Sequence, residues 1–161
     1  MRILGIDPGT ATTGFGIIET NGAKPKFVDA GVITTPADAP MTERLKTIHD
    51  ELSQIINETK PDEIAVELLY FATNVTTAMT VGQARGVILL CIAEAGLPVH
   101  EYTPLQVKMG VTGFGQAKKP QVQEMVKTLL GLQAIPRPDD AADALAIALT
   151  HANRTSTAHH K

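Results

Sequence analysis

The chain has 161 residues, of which 43% are hydrophobic, with a formal net charge of −3 and a pI near 5.9. This length suits one α/β domain with a hydrophobic core and is too short for two large domains. No apolar run of about 18 residues predicts a membrane span, and residues 3–6 are too short a run for a signal peptide, which favours a cytoplasmic protein. The single cysteine, Cys91, excludes an internal disulfide and is expected to be a buried thiol.

The N-terminal part of the chain predicts three antiparallel strands. Residues 1–7, 13–20 and 26–35 are rich in Ile, Val, Thr and Phe, and Gly, Asn and Pro separate them. Asn21 and Gly22 are a hairpin-turn signal because both residues tolerate positive φ.

The centre of the chain changes to helical spacing. Apolar residues recur every three to four positions up to about residue 58, which predicts an amphipathic helix. Residues 63–69 then predict a buried strand that a βαβ crossover makes parallel to an earlier one. A long helix over 74–95 and a short fifth strand over 99–102 follow.

The C-terminal part predicts a short helix around Val107, a second helix ending at Gly131, and a last helix over 139–153. Residues 154–161 are polar and are expected to form a disordered tail. The fold class is therefore α/β, with one domain over 1–153 and a five-stranded mixed sheet flanked by helices.

Four carboxylates lie at borders between apolar and polar segments. Asp7 closes the first predicted strand, Glu67 follows an apolar triplet, and Asp140 and Asp143 open the alanine-rich last helix. Ligands gather at the carboxyl ends of strands in α/β sheets, and side chains three residues apart share one helix face. Converging carboxylates are ligands for hard cations such as Mg²⁺ or Mn²⁺, and two such ions drive phosphodiester hydrolysis.

Each acid also has a structural alternative. Asp7 can cap a turn, and the same short motif opens actin-like and sugar-kinase ATPases. Glu67 can be a surface residue, although the apolar residues on both sides predict partial burial. Asp140 can complement a helix dipole. Asp143, which lies among alanines in a helix that must press closely on the sheet, is favoured as a metal ligand with Asp140 as its companion.

Aromatic and basic residues accompany the acids. Tyr70 and Phe71 follow Glu67 and can either cover the core or stack on an unpaired base. The acidic balance argues against a general nucleic-acid binder, since phosphate is contacted by Lys and Arg. Bases nevertheless cluster within twenty residues, at Lys108, Lys118, Lys119 and Lys127. Histidine spacing assigns no role to His49, His100 or His151.

Taken together, these residues resemble the RuvC family of bacterial Holliday junction resolvases, from residue 1 to about residue 151. The stretches that carry the resemblance are 3–9 (ILGIDPG), 13–16 (TGFG), 65–67 (AVE), 82–87 (GQARGV), 106–108 (QVK), 119–123 (KPQVQ) and 140–146 (DAADALA). Leu68, Pro120 and Tyr70 depart from the family, which commonly has glutamine, serine and phenylalanine there.

The resemblance implies an RNase H-like domain that acts as a Mg²⁺-dependent homodimer, with two ions per active site, and makes paired symmetric nicks in four-way DNA junctions during recombination and repair. It implies that Asp7, Glu67, Asp140 and Asp143 are the metal-binding catalytic acids. The branch-migration helicase complex RuvA-RuvB is the implied protein partner. The residues expected to contact DNA are Tyr70, Phe71, Asn74, Arg85, Lys108, Lys118 and Lys119.

A homodimer also follows from geometry, because a two-fold axis supplies two identical sites for two strands of like polarity. The helix over 74–95 is the predicted interface because of its apolar and small residues. These are Val81, Gly82, Ala84, Gly86, Val87, Ile88 and Leu89.

Two other functions compete with nuclease activity. An actin-like ATPase fragment would need a second domain, for which 161 residues leave no room. A non-catalytic DNA-binding relative would be expected to lose at least one acid, and all four are present.

Overall fold

One mixed sheet of five strands carries helices on both faces. The computed structural model describes residues 1–22, 24–69 and 74–158, with side chains up to residue 156. The strands are β1 (Arg2–Asp7), β2 (Thr12–Glu19), β3 (Lys26–Thr34), β4 (Glu63–Glu67) and β5 (Val99–Tyr102). The helices are α1 (Met41–Thr59), α2 (Val75–Glu94), α3 (Pro104–Thr112), α4 (Lys119–Leu130) and α5 (Asp139–Ala158).

The strand order is β3-β2-β1-β4-β5. The first three strands pair antiparallel, and β4 pairs parallel with β1 and with β5. This confirms the predicted mixed sheet of three antiparallel strands followed by two parallel ones.

Successive side chains of a strand point to opposite faces of the sheet and so belong to two hydrophobic cores. Leu4 and Ile6 of β1 point to the face covered by α1 and α2, whereas Ile3 points to the face covered by α3, α4 and α5. This alternation follows from the two-residue period of a strand. Cys91 is buried in the first core, as expected, where its Sγ lies 3.2 Å from the Ser53 hydroxyl.

Helix α5 lies directly against β1 and β2 because glycines leave space for its backbone. A Cβ added to Gly5 would come within 2.1 Å of the Ala144 carbonyl oxygen, and one added to Gly14 within 2.1 Å of the Asp140 carbonyl oxygen. No side chain larger than hydrogen fits at either place. The close approach predicted from the small residues of α5 is therefore confirmed, and it fixes where the acids of α5 lie.

Three sequence expectations are corrected. The predicted strand over 63–69 ends at Glu67. The Leu68 N–H donates to the Tyr102 carbonyl, and Leu68 itself lies outside the strand. The last helix continues beyond residue 153 to Ala158, and the Thr155 and Ser156 hydroxyls donate to carbonyls of the preceding turn.

The third correction concerns membrane-spanning character. Among the described helices, α2 is long and apolar enough to span a membrane by length and composition, with a mean hydropathy of 1.5, although no such run was expected. Arg85 and Glu94 are its charged residues, and threonine, alanine and glycine fill the spaces between its large apolar side chains. Only 22% of the apolar window is buried. Helix α2 is therefore an apolar helix with an exposed face.

Candidate active site

Asp7 and Glu67 meet at the carboxyl end of the sheet. Each is the last residue of its strand, and the parallel register that pairs Ile6 with Val66 places the two acids side by side. Their carboxyl groups interact, so that the charge of Glu67 acts on Asp7. Both side chains are half-buried, as the apolar sequence around Glu67 predicts.

The first turns of α5 bring two further acids to the same place. Carboxylate oxygens of Asp7, Asp140 and Asp143 all lie within 4.8 Å of one another. Glu67 lies next to this group, where it interacts electrostatically with Asp7 and Asp143. The four acids predicted from the sequence therefore form one cluster, at the point where β1, β4 and α5 converge.

The cluster holds more negative charge than its surroundings stabilise. Burial, followed by the charges of Glu67, Asp143 and Asp140, raises the pKa of Asp7 to about 8. Burial and the charge of Asp143 raise the pKa of Glu67, and burial raises the pKa of Asp143 despite the nearby Lys119. An opposite charge restores the ionised form of such groups. The donor set, made only of carboxylate oxygens, fits a hard divalent cation.

A basic cleft adjoins the acids. Its volume is about 440 Å³, and its lining includes Glu67 and Asp143 together with the three lysines Lys108, Lys118 and Lys119. The Lys119 Nζ lies 3.2 Å from an Asp143 carboxylate oxygen and 3.7 Å from one of Asp139. The lysines therefore lie near the acids, and their contact with DNA stays a prediction.

The remaining predicted DNA contacts have partners within the protein or lie outside the described residues. The Asn74 side chain caps α2 by accepting from the N–H groups of Thr76 and Thr77, and Arg85 pairs with Glu101. These contacts give both residues structural roles, and their DNA contacts stay predictions. Tyr70 and Phe71 lie outside the described residues.

Sequence reasoning missed two features. Asp139, the first residue of α5, forms ion pairs with Arg137 and Lys119 and so helps to hold Lys119 beside the acids. His151 is almost completely buried and contacts both Tyr102 and Glu63. No spacing rule connects residues so far apart in the sequence.

The strand order, with acids at the ends of two adjacent parallel strands and at the start of the last helix, defines an RNase H-like nuclease fold with a candidate metal centre. The chain matches the family model for crossover junction endodeoxyribonuclease RuvC over residues 3–151. It is 59% identical over 157 residues to the protein of that name from Chloroflexus aurantiacus, covering 98% of this chain and 96% of that one. A second relative of the same name, from Desulfitobacterium hafniense, is 58% identical over 153 residues, covering 95% of this chain and 93% of the relative.

Solved structures agree. The structure of Thermus thermophilus RuvC in complex with Holliday junction substrate superposes with a TM-score of 0.93 at 40% identity, covering 98% of this chain and 96% of that chain. The chain belongs to the RuvC family.

Proposed function

We propose that this protein resolves four-way (Holliday) DNA junctions in the cytoplasm, during recombination and repair, by metal-dependent hydrolysis of one phosphodiester in each of two symmetric strands. The observation that carries the proposal is the convergence of Asp7, Glu67, Asp140 and Asp143 beside a cleft lined with lysines. It is supported by relatives named crossover junction endodeoxyribonuclease and by the junction complex of the Thermus thermophilus protein.

Two Mg²⁺ ions per site, which Mn²⁺ can replace, fit the four carboxylates. When bound, two such ions supply a nucleophilic water at neutral pH and stabilise charge on the leaving oxygen. Asp7 interacts with Glu67 on β4 and lies within 4.8 Å of the acids of α5, so it would hold the ions together with both. The rigid ends of β1 and β4 hold two of the four carboxylates, which limits the reorganisation needed before reaction.

The lysines of the cleft position the DNA backbone. Lys119 neutralises Asp143 in the absence of a cation, and bound cations would take over that role and release its ammonium group for a phosphate. Lys108 and Lys118 line the same cleft and supply further phosphate contacts. The predicted base and backbone contacts of Tyr70, Phe71, Asn74 and Arg85 complete the DNA-binding surface of the proposal.

Incubation of the protein with a mobile four-way junction tests the function. We expect paired nicks of like polarity with Mg²⁺, and binding without efficient cleavage with Ca²⁺, whose larger and more irregular coordination holds two oxygens less well for in-line attack. Linear duplex and an RNA–DNA hybrid of the same sequence are the controls. Equal cleavage of all three substrates, or equal rates with both ions, would contradict the assignment.

We further propose that the protein acts as a homodimer through α2. Val75, Met79 and Leu90 are 73%, 63% and 53% exposed on this helix, and they share one face with Gly82 and Gly86. These five residues, the apolar stripe, extend for about 22 Å along the helix. A Cβ added to either glycine meets nothing within 4 Å among the described residues. Small residues on an apolar face let two helix backbones approach closely.

The structure changes which residues of α2 are available to a partner. Ala84 and Ile88, predicted for the interface, are fully buried in the core beneath the helix. Val81, Val87 and Leu89 are half-buried at the sides. Val75, Met79 and Leu90 take the place of the buried pair, while the predicted Gly82 and Gly86 remain on the accessible face.

Leu90→Glu is expected to weaken the dimer about 100-fold or more, because two-fold symmetry buries two carboxylates, each costing at least about 1.4 kcal/mol if unpaired. Sedimentation at micromolar concentration measures the effect. Leu105→Glu is the matched control, since Leu105 is 60% exposed on α3 and outside the stripe. A strictly monomeric native protein that still makes paired nicks would refute the dimer.

The branch-migration helicase complex RuvA-RuvB remains the proposed protein partner. This proposal rests on family membership.

A further inference from the structure

A second cluster of metal-ligating side chains lies away from the acids. The Glu63 Oε2 is 2.5 Å from the His151 Nε2 and 3.3 Å from the His100 Nε2. The three ligand atoms all lie within 4.8 Å of one another. Tetrahedral Zn²⁺ ligands at about 2.0–2.2 Å from the ion are about 3.3 Å apart. An increase of the distance between the Glu63 Oε2 and the His151 Nε2 to this value would therefore make room for an ion.

The cluster has the supporting hydrogen bond that metal-binding histidines use. The Tyr102 hydroxyl lies 2.6 Å from the His151 Nδ1, on the side of the ring opposite Glu63. A hydroxyl can donate or accept, so it serves either imidazole tautomer, including the one that leaves Nε2 free for a metal. Arg154 lies over the Tyr102 ring, 5.3 Å from its centroid, and restrains it.

Burial and access are suited to a bound ion. His151 is 1% exposed, whereas the His100 side chain is 42% exposed and stacks on the His151 ring with centroids 4.3 Å apart. Glu63 also lines a surface cleft of about 520 Å³ with Met1 and Gly22. One ligand is thus fixed in the core, while the other two reach solvent, which leaves room for a water as a further ligand.

We propose that Glu63, His100 and His151 bind Zn²⁺ and connect β4, β5 and α5 at the end of the sheet opposite the acids. Two imidazoles and one carboxylate suit Zn²⁺ rather than the hard Mg²⁺ favoured by four carboxylates. Glu63 and Glu67 are about 13 Å apart along β4, and His151 follows Asp143 by about 12 Å along α5. The ion would link β4, which carries Glu67, to α5, which carries Asp140 and Asp143. It would lie at the ends of these elements that are far from the reacting groups.

Another group of potential metal ligands is less suited to bind an ion. His49, Cys91 and Glu94 also bring ligand atoms within 4.8 Å of one another. The Cys91 Sγ is engaged with the Ser53 hydroxyl and the His49 carbonyl, and the Glu94 side chain is 53% exposed. His49 therefore provides the control for nonspecific binding by histidine.

Zn²⁺ titration against a chromophoric chelator tests the proposal, in a His159→Ala/His160→Ala background that removes the terminal histidines. We expect His100→Ala to weaken binding more than about 100-fold, since loss of a supporting partner alone costs about 10–100-fold. Tyr102→Phe should fall within that smaller range, and His49→Ala should leave the affinity unchanged. None of these variants changes the four carboxylates. Any Zn²⁺ that the carboxylates bind is therefore the same in every variant and does not affect the comparison.

His100→Gln keeps a hydrogen-bonding group near Glu63 and distinguishes metal binding from an ordinary hydrogen-bonded cluster. Zn²⁺ should raise the thermal midpoint of the background protein more than that of His100→Gln, because binding to the folded state stabilises it. Co²⁺ should give the visible absorption of a four- or five-coordinate site only when His100 is present. Equal Zn²⁺ affinity in the background protein and both His100 variants would overturn the proposal.

Discussion

Asp7→Asn is expected to reduce cleavage of a four-way junction more than about 100-fold, beyond what loss of a supporting partner to a metal ligand costs. Asp7 lies between Glu67 and the acids of α5, so its carboxylate contributes to the whole cluster. Junction binding should survive, because phosphate contacts come from the lysines of the cleft. Single-turnover cleavage and gel-shift affinity, measured on one preparation, separate the two effects.

The control for this change is Asp38→Asn, which removes one charge from an exposed loop residue. Its cleavage rate should equal that of the native protein. Glu67→Gln and Asp143→Asn should be as damaging as Asp7→Asn. Asp140→Asn should be damaging too, and Asp140 has a structural alternative as well, because it lies in the first turn of α5 and complements the helix dipole. Native rates in Asp7→Asn, Glu67→Gln or Asp143→Asn would remove the acid cluster from the mechanism.

The meeting of Asp7 and Glu67 could be predicted from the sequence because adjacent parallel strands end at one edge of the sheet. The position of Asp140 and Asp143 beside Asp7 and Glu67 depends on a tertiary contact. Gly5 and Gly14 admit the backbone of α5 close to β1 and β2, and sequence spacing alone does not show which strand a helix will cross. The small residues of α5 indicated a close contact with the sheet without giving its register.

The exposed face of α2 could not be predicted for a different reason. This helix is apolar on nearly all sides, so its periodicity does not separate core from surface. Ile88 and Leu90 are chemically alike in sequence, yet one is fully buried and the other is 53% exposed. The contact of His151 with Glu63, 88 positions apart, likewise arises only when α5 crosses the sheet.

Without metal, the native protein is expected to lose stability as pH rises from about 4 to about 8, and Asp7→Asn is expected to lose less. The pKa of Asp7 is raised from 3.8 to about 8 by burial and by its acidic neighbours. Between those values the folded protein retains a proton that the unfolded chain releases. Stability falls with pH wherever the folded state binds more protons. The raised pKa values of Glu67 and Asp143 act in the same direction.

The amide introduced by Asp7→Asn cannot ionise, so this variant should exceed the native protein in thermal midpoint at about pH 8–9 in EDTA, by at least the ~2–4 °C that 1 kcal/mol produces in a domain of this size. The difference should shrink toward about pH 5, where the native Asp7 keeps its proton. Mg²⁺ should stabilise the native protein more than the variant, because the ion binds the folded cluster and compensates its charge. Asp38→Asn should follow the native curve. Parallel pH curves for native and Asp7→Asn proteins in EDTA would show that repulsion among the four acids does not limit the stability of the metal-free fold.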